Sequence, residues 1–122
     1  MKKILIVDDN EDIALMVTRI LVKRHYDVLI NTTGMNIPEI VNIYKPQLIL
    51  LDITLPGIKG TDICKELKQK YTVPVILVSA HPMQEELISK CKADGYIQKP
   101  FHMDDILTII SSKINAAIET VS

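Results

Sequence analysis

Polar side chains with the potential for chemistry follow four apolar runs of this sequence. The run ILIV ends on Asp8 and Asp9, and the run LILL ends on Asp52. The run VILV ends on Ser79, and the short run YIQ is followed by Lys99. A core strand has no use for adjacent carboxylates, so we expect a cation or a helix N-terminus beside Asp8 and Asp9.

If the fold brings these residues together, their types predict a site for phosphoryl chemistry. Three carboxylates in one place repel one another, and burial increases that cost. The cost falls if Mg²⁺ lies among them, because this ion takes oxygen ligands in octahedral geometry. The ammonium of Lys99 would offset further charge and could bind an anion, which the hydroxyl of Ser79 could also reach. In such a site an aspartate is a candidate nucleophile.

The stretches between these motifs predict the elements that position them. Aliphatic runs of strand type alternate with amphipathic stretches, which gives the order β-α five times over. Helices are predicted over roughly residues 11–24, 61–70, 83–92 and 103–120, with Asn10 or Asp9 as first N-cap and a short helix that begins near Pro38. Near-continuous aliphatic strands predict a parallel sheet covered on both faces, and therefore a doubly wound α/β fold. Sites in such folds lie beyond the carboxyl ends of the strands.

Length and composition limit the possible functions. A chain of 122 residues is expected to form one domain, and its net charge of −1 gives no reason to expect direct binding of nucleic acid or of an anionic membrane. Cys64 and Cys91 belong to no metal-binding spacing and are interpreted as reduced helix residues. No run approaches the length of a membrane span, so membrane insertion is not expected and the default location is the cytoplasm.

Taken together, the four motifs resemble the receiver domain of two-component response regulators. They read ILIVDDN, LILLDITLPGIKG, VILVSA and GYIQKPF, in the order of the family and over nearly the whole chain. The resemblance implies a flavodoxin-like sheet of five parallel strands, in the order 2-1-3-4-5, with five helices in one receiver domain over residues 1–122. It also implies a phosphorelay switch that catalyses its own phosphorylation and dephosphorylation and is not a turnover enzyme.

The resemblance assigns the acidic residues to phosphorylation and metal binding. By it, Asp52 is the phosphoacceptor, and Asp9 and Asp52 are direct ligands of Mg²⁺. The backbone carbonyl of Thr54 is a third ligand, and Asp8 acts through water.

The resemblance also assigns the residues that would respond to phosphorylation. Lys99 pairs with the phosphoryl oxygens, and Ser79 is the hydroxyl that is drawn in afterwards. Tyr96 matches an aromatic switch residue whose ring turns inward as Ser79 moves. The Lys99–Pro100 bond matches a family peptide bond that is usually cis.

The implied partners are a histidine kinase or a histidine phosphotransfer protein, together with an unknown output partner. The domain is expected to be a monomer or a phosphorylation-dependent dimer. One alternative is an aspartyl phosphatase of the haloacid dehalogenase type, although Thr54 stands where that class has a second Asp. Another is a degenerate receiver that acts as a scaffold.

Two departures from the family pattern affect its output and its lifetime. The segment SKCKADGY is shorter than in many members, so the helix before the last strand is expected to be short or shifted. Thr54 and His81 flank the position of the water that hydrolyses the acyl phosphate. Their identities leave the lifetime of the phosphorylated state open.

Overall fold

The chain folds around a sheet of five parallel strands. The structure is a computed structural model that describes residues 1–82 and 84–121, with side chains through residue 117. When the five strands of this sheet are counted along the chain, their spatial order is 2-1-3-4-5, which confirms the predicted order. Its strands are β1 (Lys2–Val7), β2 (Tyr26–Asn31), β3 (Leu48–Asp52), β6 (Val75–Ser79) and β7 (Gly95–Gln98).

Five helices cover the two faces of this sheet. They are α1 (Glu11–Lys23), α2 (Ile37–Tyr44), α3 (Gly60–Lys70), α4 (Glu85–Cys91) and α5 (Met103–Val121). Because side chains alternate along a strand, each central strand supplies apolar residues to both faces. Leu5 and Ile49 pack in a cluster with residues of α2, α3 and α4, whereas Ile4 and Leu48 pack in a cluster with residues of α1 and α5. The three-layer arrangement is that of a doubly wound fold.

The predicted helices agree with the observed ones except for small shifts of their ends. Asn10 is the N-cap of α1, and its side chain accepts a hydrogen bond from the N–H of Ile13 at 3.1 Å. Pro38 lies in the first turn of α2, where its missing N–H costs nothing. Helix α4 begins at Glu85, later than expected, and Met83 of its predicted range lies outside the described residues.

A short antiparallel hairpin follows β3 and was not predicted. Its strands are β4 (Thr54–Leu55) and β5 (Ile58–Lys59), and Pro56 and Gly57 form the turn between them. Gly57 has a φ of 71°, the left-handed region that favours glycine in such a turn. The hairpin returns the chain to β3, where the N–H of Gly60 donates to the carbonyl of Ile53 at 2.8 Å.

Among the described residues, no helix has both the length and the apolar character needed to cross a membrane.

Candidate functional site

The acidic residues converge at the carboxyl ends of β1 and β3. These strands are neighbours in the sheet, with Val7 paired to Leu51, so the residues that follow them lie side by side. Asp8 is 5% exposed and Asp52 is 6% exposed, whereas Asp9 is open to solvent. A carboxylate oxygen from each of the three lies within 4.8 Å of the others. Oxygen donors at this spacing suit a hard divalent cation such as Mg²⁺.

Lys99 bridges the two buried carboxylates from the end of β7. Its Nζ lies 3.1 Å from Oδ2 of Asp8 and 3.0 Å from Oδ2 of Asp52. Burial by itself lowers the pKa of this ammonium, but the hydrogen bonds and charges of Asp52 and Asp8 outweigh that effect and raise the pKa overall. Lys99 therefore stays charged and holds the two carboxylates together across 91 and 47 positions of sequence.

The carboxylate of Asp52 is both buried and hydrogen-bonded. Burial raises its pKa and the charge of Asp8 raises it further, while the N–H of Thr54 and the ammonium of Lys99 act in the opposite direction. The N–H of Thr54 donates to Oδ1 at 2.9 Å, so each carboxylate oxygen has a donor of its own. These two bonds fix the orientation of the carboxylate toward the site.

Asp8 is held in place by the start of α1. Its Oδ1 accepts a hydrogen bond from the N–H of Asn10 at 2.9 Å, while its Oδ2 faces Lys99. The residue expected to take part through water is thus the more buried member of the Asp8–Asp9 pair. The next residue, Asp9, is exposed, so its carboxylate is accessible to an ion from solvent.

Ser79 and Tyr96 meet at the backbone of His81. Ser79 is 2% exposed, and its Oγ accepts a hydrogen bond from the N–H of His81 at 3.1 Å. The hydroxyl of Tyr96 donates to the carbonyl of His81, and its ring is partly buried against the α2–α3–α4 side of the core. The carbonyl of Ser79 accepts the N–H of Lys99 at 2.7 Å, so one chain of contacts joins the two strand ends.

Every residue that the sequence analysis proposed for the site lies at this edge of the sheet, and the Lys99–Pro100 bond is cis as the resemblance implies. Thr54 contributes its N–H to Asp52. Sequence reasoning overlooked the backbone of His81 and also Gly60, which packs directly against the backbone of Asp52. A glycine at the first position of a helix was the available signal for this close approach.

Comparison with known proteins decides the family. The sequence matches the response regulator receiver domain over residues 4–111. The chain belongs to the response regulator receiver family. Receivers are signalling domains of two-component systems, and they typically bind Mg²⁺ at an acidic pocket. In this chain Asp8, Asp9 and Asp52 form an acidic cluster at the carboxyl ends of β1 and β3.

Solved receiver structures resemble this one over nearly their whole length. A CheY-like receiver domain protein from Methanospirillum hungatei JF-1 has a TM-score of 0.91 at 29% identity, with 98% of each chain covered. The N-terminal domain of a response regulator/sensory box/GGDEF protein from Carboxydothermus hydrogenoformans has a TM-score of 0.84 at 31% identity, over 99% of this chain and 100% of that one. The BeF₃-activated N-terminal receiver domain of RstA from Klebsiella pneumoniae has a TM-score of 0.86 at 27% identity, over 93% of this chain and 98% of that one.

Proposed function

We propose that this receiver accepts a phosphoryl group on Asp52 from the phosphohistidine of a histidine kinase or a histidine phosphotransfer protein. The observation that supports this proposal is the bridge from Lys99 to Asp8 and Asp52, made beside a third carboxylate. A surface ion pair would contribute little to stability and needs no burial. A partly buried ammonium shared by two buried carboxylates at strand ends is the arrangement expected where additional negative charge must be received.

The chain's own residues supply most of the chemistry. An oxygen of the Asp52 carboxylate attacks phosphorus, the P–N bond to the donor histidine breaks, and the imidazole leaves. Lys99 already contacts this carboxylate and stabilises the charge of the transferred oxygens. The N–H of Thr54 orients the carboxylate. Asp8, Asp9 and Asp52, with the carbonyl of Thr54, would hold Mg²⁺, which neutralises charge on the phosphoryl oxygens when bound.

The contacts among Ser79, His81 and Tyr96 suggest how the phosphorylated state reaches the surface. A phosphoryl group on Asp52 adds oxygens that compete for Lys99 and for the hydroxyl of Ser79. Movement of Ser79 would change its bond to the N–H of His81, whose carbonyl accepts the hydroxyl of Tyr96. A partner that binds better to one arrangement than to the other then reads the state.

The expected setting follows from this chemistry. A phosphoryl group derived from ATP would reach Asp52 in the cytoplasm. We expect residues 1–122 to form one receiver domain, which is a monomer or a phosphorylation-dependent dimer. Self-catalysed phosphorylation and slow hydrolysis are part of the proposal. The flanking residues Thr54 and His81 are both exposed.

The test uses a small-molecule phosphodonor with Mg²⁺ and measures the intact mass. The wild-type protein should gain about 80 Da, the mass of one phosphoryl group, and Asp52→Asn should not. Asp62→Asn is a matched control, because Asp62 is an exposed acid in the first turn of α3. An equal gain in Asp52→Asn would contradict the assignment. No gain in the wild-type protein would favour the scaffold alternative.

The phosphatase alternative requires an acid two residues after the nucleophile. Thr54 occupies that position and uses its backbone N–H to bind Asp52. Repeated turnover of an aryl phosphate by this protein would support the phosphatase alternative.

A further inference from the structure

We propose that Cys64 and Cys91 form a reversible dithiol–disulfide pair, which a low-molecular-weight disulfide oxidises and which then ties α4 to α3. This modification site lies in the layer of helices on the α2–α3–α4 face of the sheet. It does not depend on phosphorylation of Asp52, and its test needs no phosphodonor.

The Cys64 thiol lies against the backbone of Cys91 although 27 positions separate them in sequence, and the Cys91 thiol donates to the carbonyl of Ile88 at 3.6 Å. Cys64 lies within α3 and is 0% exposed, and Cys91 is the last residue of α4 and is 3% exposed. The Sγ of Cys64 donates to the carbonyl of Cys91 at 3.4 Å. Burial raises the pKa of the Cys64 thiol, and the charge and hydrogen bond of the adjacent Cys91 thiol raise it further. Both cysteines are free.

Helix α4 provides the route of access to this pair. Of its seven residues, all of which the structure describes, Cys91 alone is buried, and Ile88 is partly buried. Cys91 is followed at once by Lys92, which ends the helix in the left-handed conformation. A short helix attached by so few apolar side chains opens at a small fraction of the free energy of global unfolding. Such opening exposes Cys91, while Cys64 remains in the longer helix α3.

The reaction is thiol–disulfide exchange in two steps. When α4 opens, the Cys91 thiolate attacks one sulfur of a disulfide such as oxidised glutathione. The S–S bond of the oxidant breaks, a mixed disulfide forms, and one small thiol leaves. While α4 is still open, the Cys64 thiol loses its proton to solvent, the resulting thiolate attacks the sulfur of Cys91 and the second small thiol leaves, after which α4 closes over the new S–S bond. Two protein thiols lose two protons and two electrons, and the oxidant is reduced to two thiols.

The experiment treats the full chain with oxidised glutathione and analyses it without reductant. The wild-type protein should lose about 2 Da, the mass of two hydrogens, as an internal bond between Cys64 and Cys91, and a thiol reductant should reverse the change. Peptide mapping identifies the two linked residues. A stable glutathione adduct without an internal bond, or linkage only between two chains, would overturn the proposal. So would a wild-type protein that keeps both thiols.

Two variants test whether Cys91 reacts with the oxidant before Cys64. In Cys64→Ala the reaction should stop at a glutathione adduct on Cys91. In Cys91→Ala the reaction of Cys64 should be slower by about tenfold or more, because α3 does not open with α4. Equal rates in the two variants would contradict the role of α4. Circular dichroism checks that both variants are folded, and the wild-type measurement holds even if one of them is not.

Dependence on urea distinguishes local from global opening. The rate at Cys91 in the wild-type protein should change little in urea below the unfolding transition, because local opening exposes little surface. A rate that rises as steeply as the unfolding constant would mean that only the unfolded chain reacts, and would overturn the proposal.

Discussion

Replacing Gly60 with alanine should displace the backbone of Asp52 and so disturb the acidic site. A Cβ at this position would lie 2.7 Å from the Cα of Ile53 and 2.9 Å from the carbonyl carbon of Asp52, and it would overlap the carbonyl oxygen of Asp52. Ordinary van der Waals contacts of a Cβ begin near 3.4 Å. The neighbouring atoms are backbone and not the end of a flexible side chain. The strand end that carries Asp52 must therefore move away from α3.

The expected cost can be worked out from two opposing effects. Overpacking of a tight contact costs about 1–3 kcal/mol. Alanine gains up to about 1 kcal/mol over glycine inside a helix, but less at the first helical position of α3. We expect Gly60→Ala to lower the free energy of unfolding by about 2 kcal/mol. With a urea dependence of about 1–3 kcal/mol per molar, the unfolding midpoint should fall by about 1 M.

Gly57→Ala is the matched control. Gly57 has a φ of 71°, and nothing lies within 4 Å of the position of its Cβ. Gly57→Ala should lower the free energy of unfolding by about 1 kcal/mol, because alanine is disfavoured in the left-handed backbone conformation. The strain should be confined to the turn between β4 and β5. Urea unfolding should show both variants to be less stable, whereas only Gly60→Ala should phosphorylate more slowly under stabilising conditions. A Gly60→Ala protein as stable and as reactive as the wild type would refute the reasoning.

Three further predictions concern charge. Without Mg²⁺, Lys99→Met should lower the free energy of unfolding by about 2 kcal/mol in urea, because it leaves Asp8 and Asp52 buried without their shared ammonium, and an unchanged midpoint would contradict this. Mg²⁺ at one hundred times its dissociation constant should stabilise the wild type by about 2.7 kcal/mol, and Asp9→Asn should lose most of this gain in the same assay. Asp94→Ala should lower the free energy of unfolding by about 2 kcal/mol, because the carboxylate of Asp94 accepts hydrogen bonds from Lys68 and from the N–H of Val75, both at 2.8 Å. Asp94→Asn should lower it by less in the same urea assay.

The sequence predicted the topology and the convergence of the acidic side chains at one edge of the sheet, because both have local signatures. Each central strand is an uninterrupted aliphatic run, and the candidate site residues stand at its end or directly after it, so Asp8, Asp52 and Ser79 could be proposed before their surroundings were known. Asn10 could be predicted as an N-cap for a similar reason, because the capping residue and the helix that it caps are adjacent in sequence.

Features that arise from tertiary contact were not predictable in this way. The ion pair between Lys68 and Asp94 joins α3 to the segment before β7, and no spacing rule connects those positions. The hairpin of β4 and β5 is too short to show a strand pattern in sequence. The proximity of Cys64 and Cys91 depends on how α4 packs against α3, which neither helix specifies alone.

Charge balance explains why the fold tolerates such a site. When they are all ionised, the three carboxylates and the ammonium of Lys99 carry a formal charge of −2. A divalent cation would neutralise that charge, and a phosphoryl group would then restore an excess of negative charge around the same lysine. Because Lys99 contacts both Asp8 and Asp52, it cannot turn fully toward a phosphoryl group without weakening one of these contacts. If Asp52 is phosphorylated as proposed, the phosphoryl group would compete for the same ammonium that stabilises the unphosphorylated site, and this competition would be a physical basis for two states.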